Sequence, residues 1–232
     1  MSDARAEPQP VGERSGRRRY WPLGLLVGVV AMALLAAGVL VGRATAGRST
    51  PGDQSADAGF ARDMQVHHAQ AVRMAMIVRD TSADPTLRTM AYDIALSQQE
   101  QSGQLHGWLT QWNLPQTGSR PAMAWMPAAG SGSHGAGHGA DPATGLRPDG
   151  RMPGMASRAE LDQLSASSGR AAETLFLRLM IAHHRGGVAM AQAGVKLAER
   201  PEVRTLAASI ATSQAAELTA METMLKDRGA PP

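Results

Sequence analysis

The apolar positions of this chain form two kinds of run. Trp21 to Val41 is a stretch of 21 residues without a charge. At 1.5 Å per helical residue it covers a hydrocarbon layer of roughly 30 Å, so a membrane-spanning helix is expected there. Beyond residue 50 the apolar residues recur every three or four positions. At about 100° per residue, Phe60, Met64, His67, His68, Ala71, Met74, Ala75 and Val78 fall in one arc of about 120°, and Arg62, Gln65 and Arg73 fall outside it. That spacing predicts an amphipathic helix over 56–80. The TSADP stretch interrupts it, with Asp84 suited to an N-cap and Pro85 to the first position of a second helix running to about 112.

The same pattern returns downstream. Residues 60–109 align without a gap on 176–225 at a constant offset of 116, and 17 of the 50 pairs are identical. Among them are Phe60/Phe176, Met64/Met180, His67/His183, His68/His184, Met74/Met190, Pro85/Pro201 and Gln98/Gln214. A gapless repeat of this kind reads as a duplicated structural unit. Pro201 should open the last helix, and Gly229 lies near its end. The expectation is an all-α fold of two helical hairpins with pseudo-twofold symmetry.

Six segments follow: a basic stretch 1–20, the apolar segment 21–41, a linker 42–56, a first hairpin 57–112, a Gly/Pro/Met/His linker 113–156 and a second hairpin 157–229. The two hairpins are expected to form one bundle. Ser157 with Glu160 fits a capping box opening the short helix SRAELDQL, which SASSG ends. The stretch AAGSGSHGAGHGADPATG reads as a flexible, solvated loop.

Charge changes the picture mainly at the N-terminus. Seven of the 23 Lys and Arg but three of the 20 Asp and Glu precede residue 49, leaving 16 against 17 in the remainder. A nucleic-acid partner is therefore not expected. Arg14, Arg17, Arg18 and Arg19 before the apolar run place the N-terminus in the cytoplasm and the rest outside, as a single-pass anchored protein. A signal cleaved near Ala44-Thr45-Ala46, giving a secreted protein, is the alternative, and GRRRYW loosely resembles a twin-arginine signal. The chain has no cysteine. An exported fold then lacks disulfides, and any soft-metal ligand must be Met or His.

The candidate chemistry lies in the duplicated stretches FARDMQVHHAQAVRMA and FLRLMIAHHRGGVAMA. His67 and His68 lie about 100° apart on one helix, so a single helix cannot aim both at one ion, and a second helix must contribute. Met64 lies one turn away, and Met180, His183 and His184 are the natural complement. Gln98, Gln101, Gln214 and Glu217 on the apolar faces of the second helices are placed to orient imidazoles. In the loop, Met123 and Met126, His134 and His138, and Met152 and Met155 pair at spacings of three or four. Thioether with imidazole suits copper in either oxidation state, whereas zinc prefers Cys, His and carboxylate. The competing reading takes the His pairs as buried polar contacts that set helix register, with Met filling the core. No Glu-x-x-His motif supports a di-metal oxidase, and no Cys or Ser-His-Asp arrangement supports nucleophilic catalysis, so an enzyme is not expected. No protein partner is identified, and self-association stays open.

The HH-x-x-A-V-x-M-A string, the Phe-Leu-x-x-Met-x-x-His-His start at 176–184, the GMAS lead-in at 154–157 and the I-x-x-x-Q-x-x-E pattern at 210–217 resemble the bacterial domain of unknown function 305 family. The resemblance covers about 57–228. It implies an exported, ferritin-like four-helix bundle, with some members associated with copper binding and tolerance in the cell envelope. The metal ligands it implies are Met64, His67, His68, Met74, Met180, His183, His184 and Met190, with a copper ion bound. This chain departs from the family pattern at Ala69-Gln70, at Gln101 where Glu is usual, and at Glu173 where Asp is usual. Those departures put the first half-site in question.

Overall fold

The computed structural model describes residues 21–46, 50–126 and 146–230, and within the first helix the side chains of 26–40. Among the described residues it contains six helices and no strand: α1 (Trp21–Ala46), α2 (Ala56–Thr81), α3 (Pro85–Gln111), α4 (Arg158–Ala166), α5 (Gly169–Leu197) and α6 (Pro201–Asp227). Two compact units result, Met1–Ser49 and Thr50–Pro232. The all-α bundle is as expected. The transmembrane helix is not: the apolar run is helical, but among the described residues no helix is long and apolar enough to cross a membrane. The basic stretch 1–20 and the loop histidines His134 and His138 lie outside the described residues.

Helix boundaries follow local chemistry. Ser55 caps α2 by accepting the Ala58 N–H. Asp84 caps α3 through the N–H groups of Thr86 and Leu87, which hold its carboxyl below the usual range. Ser157 and Glu160 form a full capping box on α4. The two long hairpins stop alike. Asn113 (φ 55°) and Gly229 (φ 70°), 116 residues apart, both turn left-handed, and the Leu114 and Ala230 N–H groups reach back to the Leu109 and Leu225 carbonyls.

Packing follows the duplication. α2 lies on α3, α5 on α6, and α2 on α5. A Cβ on Gly194 would come within 2.8 Å of the Phe60 ring, and one on Gly187 within 3.1 Å of His67 Cε1. Residue numbers thus rise along α2 as they fall along α5, so these two helices are antiparallel. Each hairpin also braces the other's turn. Asp57 accepts from the N–H groups of Glu199 and Arg200 (3.2 and 2.9 Å), just before α6. Its counterpart Glu173 accepts from Ser82 Oγ (2.7 Å) and Arg228 Nε (3.3 Å) beside the α2–α3 turn.

The ends of the expected linker do not float free. Asp63 accepts from the Met123 N–H (2.7 Å) and Trp125 Nε1 (2.8 Å), and Gln70 clamps the N–H and carbonyl of Ala156 (2.7 and 3.0 Å). Burial raises the Asp63 carboxyl, and those two donors partly offset it. Pro153 and Gly154 lie directly on α5: a Cβ on Gly186 would collide with the Pro153 carbonyl, and one on Gly154 would stand 2.9 Å from His183 Cα. Met123, Met152 and Ala156 are buried as a result.

Candidate functional site

The buried apolar residues divide into two clusters. One holds Ala71, Met74, Ile94, Phe176, Met180, Met221 and Leu225, with Leu161 and Leu164 of α4. The other holds Phe60, Met64, Leu105, Leu109, Met190, Val203 and Ile210. All four long helices pass from one cluster to the other. Where they do so they carry polar residues: His67 and His68 on α2, Gln98 and Gln101 on α3, His183 and His184 on α5, Gln214 and Glu217 on α6. The duplicated polar positions therefore form a layer across the middle of the bundle.

The imidazoles of this layer are closed off from solvent and largely unpaired. All four imidazoles have zero exposure. Both ring nitrogens of His67, His68 and His183, and Nδ1 of His184, have no hydrogen-bond partner; the side-chain amides of Gln98 and Gln214 and Gln101 Oε1 are equally unpartnered. The His67 and His183 rings lie against each other, with centroids 3.7 Å apart and planes tilted by 35°. Burial pushes His67 down to about 3 and His68 to about 4, and holds His183 well below its ordinary value. The Pro153 carbonyl and the Gln101 amide, which approach His67 and His68, soften this only slightly. His184 alone of the four rings is paired, with its Nε2 2.6 Å from Glu217 Oε2. Gln101 and Glu217 are thus level with the His pairs they follow in sequence.

The methionines group differently from their order along the chain. Because α2 and α5 are antiparallel, Met64 shares a cluster with Met190, and Met74 shares the other with Met180. Met64 and Met180, which the sequence spacing set together, are not brought together. Of the loop thioethers, Met123 and Met152 are buried in the Met64/Met190 cluster, and Met126 and Met155 pack against it. The other cluster holds Met221 beside Met74 and Met180, with Met76, Met90 and Met224 packed against it, so thioethers flank the layer on both sides. Among the described residues no three His, Cys, Asp or Glu side chains are placed to hold one ion.

Sequence reasoning missed the seat of the 153–156 segment on α5, although two signals were present. Gly186 and Gly187 adjoin the second His pair where copy one has Gln70 and Ala71, and Gly154 sits in the lead-in. At Gly187 a Cβ would overlap the Gln214 amide and crowd His67. Glycine there admits both groups to the layer.

Solved structures of similar shape add context. A candidate secreted DUF305 protein from Streptomyces coelicolor is 42% identical, with a TM-score of 0.66 over 78% of this chain and 98% of its own. A DUF305 fragment from Deinococcus radiodurans is 35% identical, with a TM-score of 0.56 over 74% of this chain and 96% of its own. CopM in its Cu(II)-bound form is 30% identical, with a TM-score of 0.52 over 75% of this chain and 96% of its own. No curated protein matches the chain. The profile of the domain of unknown function DUF305 matches residues 57–225, and the chain belongs to that family.

Proposed function

We propose that this protein binds a soft metal ion, copper foremost, at the mid-bundle layer and holds it as cargo outside the cytoplasm, for buffering, storage or tolerance. One observation carries the reading: seven imidazole nitrogens in four wholly buried rings lack any hydrogen-bond partner. An unsatisfied buried polar atom costs about 1–3 kcal/mol, so a layer of them is expensive unless the lone pairs have another use. Metal coordination is such a use. His67, His68, His183 and His184 would supply imidazole, with thioether from Met64 and Met190 on one side and Met74 and Met180 on the other. Burial keeps three of the rings neutral, as ligation requires. Mixed Met and His donors favour copper over zinc. CopM, a relative by fold and sequence, carries copper in one of its solved forms. Gln98, Gln214 and Glu217 would orient the rings. Binding without turnover is part of the proposal.

The second reading is a structural bundle whose His pairs fix helix register. The stacked His67 and His183 rings and the His184–Glu217 contact favour it. A competition titration of the full chain with Cu(I), Cu(II) and Zn(II), followed by thermal unfolding, separates the two. A ligand that binds the folded state raises its midpoint by mass action. Copper-specific stabilisation that disappears in a His183→Ala/His184→Ala variant, with helicity intact, is the expected outcome. Absence of stabilisation, or loss of the fold in that variant, supports the register role.

A further inference from the structure

The duplication is broken at one pair of positions that bears on the chemistry of the layer. Residues 101 and 217 are equivalent under the offset of 116, and both sit beside the second histidine of a pair. In copy two the residue is a carboxylate, and its Oε2 lies 2.6 Å from His184 Nε2. In copy one it is an amide, and His68 has no hydrogen-bond partner at either nitrogen. His184 is wholly buried, while the Glu217 side chain is 25% exposed and reaches water from the layer's edge.

A carboxylate only accepts hydrogen bonds, so Nε2 of His184 must carry the proton. Nδ1 is buried without a hydrogen-bond partner, so it is the ring nitrogen left open to a ligand. An amide presents both a donor and an acceptor, so Gln101 selects neither tautomer of His68. We propose that Glu217 is a positioning residue that locks His184 as the Nε2–H tautomer, making its Nδ1 the preorganised anchor donor and leaving the two halves of the layer unequal in metal binding. This rests on the metal-binding reading above.

Two measurements on the full chain test it: side-chain 15N NMR of the metal-free protein, and Cu(I) titration against a chromophoric chelator. In the unaltered protein His184 should show a single Nε2–H tautomer, and His68 a mixture. Glu217→Gln, nearly isosteric, should turn His184 into a mixture and weaken Cu(I) binding by about 10–100-fold, while Gln101→Ala changes it by less than about threefold. Gln101→Glu should lock His68 and strengthen binding. The metal-free unfolding midpoint of each variant reports any loss of fold separately. If His184 keeps one tautomer in Glu217→Gln, or if Gln101→Ala weakens Cu(I) as much as Glu217→Gln does, the proposal is overturned while metal binding stands. If the unaltered protein fails to compete for Cu(I) at all, the metal-binding reading falls and the anchor role falls with it.

Discussion

At the scale of single residues, glycine in these helices serves two opposite ends. Gly103 and Gly107 lie exposed inside α3, and a Cβ on either would meet nothing within 4 Å. They contribute only backbone freedom to the unfolded chain, so Gly103→Ala should stabilise the protein by about 0.5–1 kcal/mol. Gly186 also sits mid-helix, but a Cβ there would run into the Pro153 carbonyl, which is backbone and cannot rotate away. Gly186→Ala should cost about 1–3 kcal/mol despite the same gain in helix propensity. Urea midpoints of the two variants should therefore move in opposite directions. A Gly186→Ala variant as stable as the parent would show that the 153–156 segment lifts off α5 easily.

At the scale of elements, the bundle is held by caps that reach across it as well as by caps within each helix. Asp57, in the first turn of α2, binds the last free N–H groups ahead of α6, and Glu173 near the start of α5 binds the turn ahead of α3. Asp84 and Glu173 share Arg228, whose side chain is 7% exposed. Asp57→Ala leaves the partly buried N–H groups of Glu199 and Arg200 without their acceptor and should cost about 1–2 kcal/mol. Hydrogen exchange at 199–203 should quicken in that variant, whereas exchange in α3 should not. Equal quickening in both hairpins would mean that Asp57 supports the bundle as a whole rather than one turn. These cross-caps also explain how the antiparallel pairing of hairpins is held at both ends while the middle carries an unpaired polar layer.

At the scale of the whole molecule, the layer makes stability depend on pH. His67, His68 and His183 stay neutral in the fold, because burial lowers their affinity for protons, and they regain ordinary values on unfolding. Between the unfolded and folded values the unfolded chain binds more protons, so stability is full above about pH 6.5 and falls as pH drops toward about 4. Each histidine contributes a slope of up to about 1.4 kcal/mol per pH unit in that window. Asp63 opposes the trend, since its raised carboxyl favours the fold at acid pH. Urea midpoints from about pH 7 to about pH 4 should decline steeply, and a His67→Leu/His183→Leu variant should flatten the curve. An unchanged slope in that variant would place the acid sensitivity elsewhere.

Helix positions, caps and the duplication were legible in the chain because each is written within a few residues. Period 3.6 puts the His and Met positions on one face, Asp84 and Ser157 cap through N–H groups two or three residues on, and an offset of 116 needs no geometry to detect. The candidate ligands Met64, His67, His68, Met74 and their repeats could be named for the same reason. How they are grouped could not. The pairing of Met64 with Met190 depends on the direction in which α5 crosses α2, which no local period encodes. The seating of Met123 and Met152 beside them depends on loop ends returning to the bundle through Asp63, Gln70 and Gly154. Of four equivalent imidazoles, one meets a carboxylate, because a contact between helices is decided by distance and orientation, and these exist only once the chain is packed.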